Sequence, residues 1–473
     1  MTVIVSVLRS EAHSRVKGVW TMFRIALVIV LTVGIPSVAR AQVHGAVVPG
    51  SYIGLYRGNG EAAARAAQNE GGDVVFNHAG IGVLVVRSAP SDFVSRMSGV
   101  AGFTHVVADR WIVGSASQMV AAKQLHALPS GDDTSVLSSP FNALLLPDQW
   151  NIFRTDTDSA WTITQGDPNV KVAIVDTGIC MHHADLAGKI DLELSTSFVS
   201  PAEEPADAVE PACVGCPSWE DRHGHGTWVA SIVSTNNFGI AGVAPNVRLV
   251  AVKVANHQGI GSVSTLIRGV VYAADIGTDV INVSRAFGEH PIPEFPRGMA
   301  LLQRMFAYAA QQGALLVFGA GNNGVDLDHA GNAIAVPAES TNGMSIGATT
   351  VSDALASYSN HGVSAVTMVA PGGGVPTAPF PGTLLNTNVL VACSVHALDG
   401  GCGVTTYFLT TGTSFAAPMI SGAAALVISN NPRVKGKPQQ VKAALVNAAE
   451  DLGKVGTDNL FSKGRLNTRR ALQ

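Results

Sequence analysis

Charge and aromatic rings are scarce in this sequence of 473 residues: charged residues make up 14% and aromatic residues 6%. Lysine and arginine total 30 against 34 aspartates and glutamates, a net charge of -4, and no basic run stands out. Such a chain lacks the cationic footprint of a nucleic-acid binder or of a protein held on an anionic membrane. It has no apolar run of the about 20 residues that a spanning helix needs. Internal repeats and long low-complexity tracts are absent too. Hydrophobic residues, by contrast, reach 47% and glycine 50 residues. That composition suits a large Ala/Val/Gly-rich core with many tight turns, and the length suggests about three units at roughly 150 residues each.

The most apolar stretch, Ile25 to Ala39, is broken by Pro36. It follows Lys17 and Arg24 and ends in Ala39-Arg40-Ala41, a small-x-small site. These are the three parts of a secretory signal peptide, so residues 1–41 are expected to be removed before Gln42. Either Met1 or Met22 can serve as the start. A membrane-tethered anchor is the competing reading of the same segment. The mature protein is expected to be secreted, and its five cysteines then belong to an oxidising compartment. Cys393 and Cys402 bracket a Gly-rich loop and are a candidate disulfide. Cys180, Cys213 and Cys216 leave one thiol over if two pair. A zinc set drawn from Cys180, His182 or His183, and Cys213-x-x-Cys216 is the weaker alternative in an exported chain.

Residues 50–109 read as β-α-β-β-α-β, the split βαβ order of small ferredoxin-like domains. The strands are Ser51–Tyr56, Asp73–His78, Ile81–Arg87 and Phe103–Asp109; the helices are Glu61–Glu70 and Ser91–Ser98, with Ser91 as N-cap. A polar stretch from about Pro129 to Pro147 is the best linker candidate. From Trp150 onward, short buried-type strands (Val170–Val175, Arg248–Val254, Val280–Val283, Ala314–Phe318, Val366–Val369) alternate with helix-like stretches. This predicts an α/β fold with a helix-flanked parallel sheet and chemistry at the carboxyl ends of its strands.

Three segments carry the chemistry. Val172-Ala-Ile-Val-Asp176-Thr-Gly178 puts an acid where a buried strand runs out. Asp221-Arg-His223-Gly-His225-Gly-Thr227 sets His225 between glycines just before a helix, where small neighbours admit another backbone and a substrate. A metal pair of His223 and His225 is disfavoured, because an i, i+2 spacing does not share a helix face. Thr411-Gly-Thr-Ser414-Phe-Ala-Ala-Pro418 puts a serine at the start of an Ala-rich helix, where free N–H groups favour negative charge. An ordinary N-cap would explain Ser414 but not the Gly-Thr before it. A fourth segment, Gly319-Ala-Gly321-Asn322-Asn-Gly324, fits the dinucleotide pattern G-x-G-x-x-G, with Glu339 as the ribose acid. The helix that reading requires does not follow.

Taken together, these residues resemble the subtilisin-like serine peptidases over roughly Trp150 to Leu472. The order Asp, His, Ser is specific to that family among the Ser/His/Asp enzymes, and no histidine follows Ser414. Gly242-Val-Ala-Pro245, Asp279-Val-Ile-Asn-Val-Ser284 and Gly464-Arg-Leu-Asn467 are similar as well. The resemblance implies a peptidase domain over residues 141–473 and an inhibitory, chaperoning propeptide over residues 42–140. It further implies a triad of Asp176, His225 and Ser414, with Asn322 in the oxyanion hole. Protein or peptide substrates would be cleaved through an acyl-enzyme, with the propeptide as intramolecular inhibitor and no cofactor for catalysis. A catalytically silent scaffold of the same fold is the alternative, and the occupation of all four positions argues against it. The sequence departs from the pattern at Trp228 and Ser231, which alter packing, and at Arg285-Ala-Phe-Gly288, expected to bias substrate choice. The segment from His225 to Gly242 is short, and Asn236 and Asn237 could offer oxygens to a structural calcium ion.

Overall fold

The computed structural model describes residues 8–12, 15–16, 19–20, 23–28, 44–113, 118–124, 139–205, 215–284, 289–291, 296–331, 333–340, 342–374, 387–394 and 405–473. The first unit contains β1 (Val47–Tyr56), α1 (Gly60–Asn69), β2 (Asp73–His78), β3 (Val83–Arg87), α2 (Phe93–Arg96) and β4 (Phe103–Val113), in the expected order. The strands pair antiparallel as β4-β1-β3-β2. One face packs Tyr52, Tyr56, Leu84 and Val86 against Ala63, Ala67, Phe93 and Met97, a core of its own. Asn59 caps α1, its side chain accepting from the N–H groups of Glu61 and Ala62. The second helix is shorter than expected and its cap position is Asp92 rather than Ser91. It buries only Phe93, and turns at Gly99 and Gly102, both with positive φ, follow it.

After β5 (Gln118–Gln124) comes the larger unit. Its elements are β6 (Lys171–Asp176), β7 (Thr196–Ser197), α3 (His225–Val233), β8 (Arg248–Lys253), β9 (Ile260–Ser262), α4 (Val263–Asp275), β10 (Val280–Val283) and α5 (Pro296–Gln311). They are followed by β11 (Leu315–Gly319), β12 (Met344–Thr349), β13 (Met368–Pro371), β14 (Val389–Ala392), β15 (Thr406–Thr411), α6 (Thr413–Asn430) and α7 (Pro438–Asn447). Seven strands form one sheet in the order β7-β8-β6-β10-β11-β12-β13, with every pairing parallel. Runs such as Val172–Val175 are buried on both faces because helices cover both. Helices α3, α6 and α7 pack on one side and α4 and α5 on the other. The expected helix-flanked parallel sheet is therefore the fold. Helix α6 is apolar and long, and 89% of it is buried within the structure.

A second sheet joins β14 and β15 antiparallel, and β15 pairs in turn with β5. Phe23–Val28 extends it beyond β5, and Leu8–Ala12 lies outermost. The expected linker is only partly a linker. Residues 129–138 lie outside the described residues, whereas Leu144 and Leu145 donate their N–H groups to Phe238 and Gly239, and Leu145 and Leu146 are buried. Apolar side chains there outweigh the polar composition around them.

The small unit docks on the larger one through its other sheet face. Ile53, Leu55, Val83 and Ile112 share a core with Val263, Leu266, Leu302 and Phe306 of α4 and α5. At one edge β4 pairs antiparallel with β9, Ile112 opposite Gly261. Asp109, fully buried, accepts from the N–H and hydroxyl of Ser264 in the first turn of α4.

Candidate active site

Three neighbouring strands of the parallel sheet, β6, β10 and β11, deliver the site at their carboxyl ends, where a doubly wound sheet leaves a crevice. Strand β6 ends on Asp176, β10 just before Ser284, and β11 three residues before Asn322. Asp176 is fully buried; its Oδ1 accepts the Thr177 N–H at 2.8 Å and faces Nδ1 of His225 at 2.8 Å. A carboxylate in that position holds the imidazole proton on Nδ1 and leaves Nε2 as the basic nitrogen.

His225 opens α3 behind Gly224, whose φ is 108°. A Cβ at Gly226 would run into the Gly178 carbonyl and lie 3.2 Å from the Asp176 Cβ. The glycine after the histidine thus admits the neighbouring strand's turn, the close backbone approach expected from the sequence. Sequence reasoning assigns no role to Asp221. Its carboxylate accepts from the N–H groups of His223, Gly224 and Thr227 and from the hydroxyls of Thr177 and Thr227. An acid just ahead of a helix start, where N–H groups lack partners, is the signal that could have found it. Trp228 packs across His225, Phe408 and Phe415, with ring centroids 6.1–6.4 Å apart.

Ser414 is the second residue of α6, not its N-cap; Gly412 holds the cap position with no side-chain bond. The Ser414 hydroxyl donates to the Ser284 carbonyl at 3.1 Å. Pro418 has no N–H, so the Ser414 carbonyl lacks its helical donor. The Ser284 hydroxyl replaces it at 2.9 Å and is itself held by the Asn282 amide at 2.9 Å. The adjacent Phe415 ring lies 5.9 Å from that of His225. From the other side, Asn322 Oδ1 accepts both the N–H and the hydroxyl of Thr413, at 2.9 and 2.8 Å. That identifies Oδ1 as the acceptor and Nδ2 as the donor end, and Nδ2 lies 3.4 Å from where a Gly412 Cβ would stand. Asp176 and His225 are therefore bonded directly, and Asn322 is locked to the residue before Ser414.

Beneath the Asp176 turn lies a buried ionic cluster. The Lys253 ammonium donates to the carbonyls of Thr177 and Glu220 and lies 3.0 Å from the Glu204 carboxylate. Desolvation pushes the Glu220 carboxyl up to about 7, against hydrogen bonds from the Met181 N–H and the buried Cys180 thiol.

After Gly319-Ala-Gly321-Asn322-Asn-Gly324 comes a single 3-10 turn, Leu327–His329, and Glu339 accepts the Ala335 N–H, so the described residues form no dinucleotide cradle. His183 uses both ring nitrogens, one facing the Thr406 carbonyl and one accepting the Asp185 N–H; burial holds its pKa down at about 4. No group of three His, Cys, Asp or Glu side chains among the described residues is placed to hold a metal. Asn236 donates its amide to the carbonyls of Ala184 and Ala187. Asp185 is ringed by donors: the N–H groups of Phe238, Gly239 and Ile240 and the Tyr407 hydroxyl, at 2.7–3.1 Å. The Asp185 carboxylate is thus engaged by donors of the loop itself. Arg285 lies outside the described residues.

A family model described as the subtilase family matches residues 167–464. The chain is 30% identical over 371 residues to a thermophilic serine proteinase of Bacillus sp. (strain AK1), covering 76% of this chain and 77% of that one. It is 32% identical over 324 residues to subtilisin Savinase of Lederbergia lenta, covering 68% of this chain and 97% of that one. The solved epidermin leader peptide processing serine protease of Staphylococcus aureus shares the fold at TM-score 0.67 and 22% identity, over 89% of this chain and 97% of that one. A solved lanthipeptide protease matches at TM-score 0.58 and 28% identity, over 71% and 97%. With the family model spanning the parallel sheet and every segment that carries the site, this chain belongs to the subtilase family and is a subtilisin-like serine endopeptidase.

Proposed function

We propose that the protein is a secreted endopeptidase that cleaves protein or peptide substrates through Asp176, His225 and Ser414 by way of an acyl-enzyme. The observation that carries this reading is the 2.8 Å bond between buried Asp176 and His225 Nδ1, set beside the helix that begins at Thr413-Ser414. Rotation of the Ser414 side chain away from the Ser284 carbonyl offers its proton to His225 Nε2 as the oxygen attacks the peptide carbonyl. His225 then returns the proton to the leaving amine, and Asp176 stabilises the imidazolium between the two transfers. Nδ2 of Asn322 and the Ser414 N–H stabilise the oxyanion. No cofactor enters these steps.

Residues 1–41 act as the export signal and residues 42–140 as a propeptide that inhibits the peptidase domain, residues 141–473, until removed. The separate core of the small unit and its strand pairing with β9 support this. In the oxidising compartment that export implies, Cys393 and Cys402 are the proposed disulfide. Casein hydrolysis that an active-serine fluorophosphonate abolishes, with label on Ser414, is the expected result. A folded, exported protein that neither cleaves nor takes the label would instead support the silent scaffold.

A further inference from the structure

The segment Tyr358-Ser359-Asn360 touches both halves of the site without reaching the reacting atoms. Asn360 is fully buried. Its amide nitrogen donates to the Ala320 carbonyl at 3.0 Å, and its Oδ1 accepts the N–H groups of Asn323 and Val325 at 3.2 and 3.0 Å. Its own backbone N–H donates to the Gly321 carbonyl at 3.1 Å, and the Gly324 N–H donates to the Tyr358 carbonyl at 2.7 Å. Every residue from Ala320 to Val325 except Asn322 thus has a backbone group fixed by this segment. The loop is tied down on both sides of the one residue whose side chain points at Thr413.

At the other half, where Thr413 already bonds Asn322 and Gly321 directly and the Gly412 N–H also reaches the Gly372 carbonyl at 3.0 Å, the same segment adds one oxygen. The Tyr358 hydroxyl accepts the Gly412 N–H at 3.0 Å and lies 2.8 and 2.7 Å from the carbonyls of Gly372 and Gly373. A phenol has one proton to share between those carbonyls and lone pairs to receive the amide. Burial drives this phenol well above its ordinary pKa, so the proton stays in place at any working pH. Gly412 has φ 151° and no side-chain cap, and its N–H is shared between the Tyr358 hydroxyl and the Gly372 carbonyl, each at 3.0 Å, so the phenol meets the turn before Ser414 both directly and through the carbonyl it bonds.

We infer that Tyr358 is a positioning residue of the reaction: with Asn360 it clasps the Asn322 loop to the Gly412-Thr413-Ser414 turn and so sets where the Asn322 amide meets the developing oxyanion. The inference rests on the oxyanion role proposed above for Asn322. Its support is geometric. One short segment bonds to both loops, and the hydroxyl that closes the clasp is a single removable atom.

The test is a double-mutant cycle of Tyr358→Phe and Asn322→Ala on a peptide anilide. Rates are taken per active site by burst titration, so that misfolded protein does not count. Tyr358→Phe should lower kcat about three- to tenfold, the scale of one hydrogen bond, with KM unchanged. In the Asn322→Ala background the same change should have almost no effect, because nothing is left to position. An equal loss in both backgrounds, a rise in KM alone, or no loss at all would overturn the clasp. An Asn322→Ala enzyme with normal kcat would instead overturn the oxyanion reading beneath it.

Discussion

Asn322 is where residue-scale chemistry is most open to measurement. Its Oδ1 is committed to Thr413, and in the proposed mechanism its Nδ2 is the oxyanion donor. Asn322→Ala should lower kcat by about 10²–10³-fold with little change in KM, since the amide meets charge that exists only in the transition state. That magnitude is the one measured for the oxyanion-hole asparagine of subtilisin, a relative of this chain, and is carried over from it. Steady-state kinetics on the folded variant decide the matter, and an unchanged kcat removes Asn322 from the oxyanion hole. Glu220 gives a second prediction of different kind. Burial raises its carboxyl to about 7 from an ordinary 4.5, so the folded state holds a proton that the unfolded state releases. Stability from this group is complete below 4.5 and is lost as pH rises through about 7, in total about 3 kcal/mol. In a Ser414→Ala background, which prevents self-digestion, Glu220→Gln should flatten that decline in denaturant titrations. The same slope in both proteins would show that another group titrates. The proposed roles of Asp176, His225, Ser414 and Asn322 start from the sequence, because each sits in a motif with its own spacing. Asp221, Glu220 and Tyr358 have no such starting point. They act through contacts with residues far along the chain, such as Tyr358 with Gly412, and no local pattern announces a contact of that kind.

Elements are legible where one physical signal dominates. Val172–Val175 and Val280–Val283 are β-branched runs buried on both faces, and the sequence places both within a residue or so. Strand β12, Met344-Ser-Ile-Gly-Ala-Thr349, escapes sequence reading because serine, glycine and threonine interrupt its apolar residues, although every position is buried. The helix near Ser91 is shorter than its composition suggests, because composition does not show where turns stop it. The loop between Thr235 and Gly242 shows partners that no local pattern reveals. Asn236 and Asn237 look like oxygen donors in sequence, yet the loop closes on Asp185 through N–H and O–H donors. Its stability should therefore come from the protein alone. Asp185→Asn turns an accepting oxygen into a donor facing other donors and should cost about 1–3 kcal/mol. Addition of a chelator should leave the Tm of the wild type where it was. A chelator-induced fall in Tm that disappears in Asp185→Asn would mean that the carboxylate binds a cation after all.

At the scale of the whole molecule, the two units are joined by more than the chain. Strand β4 pairs with β9 on the edge of the larger unit, and β5 pairs with β15, placing Gln118 opposite Thr411, three residues before Ser414. The chain leaving the small unit is thereby laid alongside the strand that leads to the proposed nucleophile. A segment held there is the first peptide the enzyme would meet, which makes self-processing the expected fate of the small unit. Ser414→Ala removes the proposed nucleophile and, among the described residues, one hydroxyl bond, that to the Ser284 carbonyl, for about 1 kcal/mol. Because Gly412 rather than Ser414 holds the cap position, the helix start should survive the change. The exported Ser414→Ala protein should then retain the segment from Gln42 to about residue 140, while the wild type loses it. Intact mass of the two secreted products measures this directly. Addition of active wild-type enzyme separates the routes: a variant that is then trimmed can be processed between molecules, and one that stays long requires cleavage within its own chain. Equal masses without any addition would mean that another peptidase removes the small unit, and the strand pairing beside Ser414 would then serve inhibition alone.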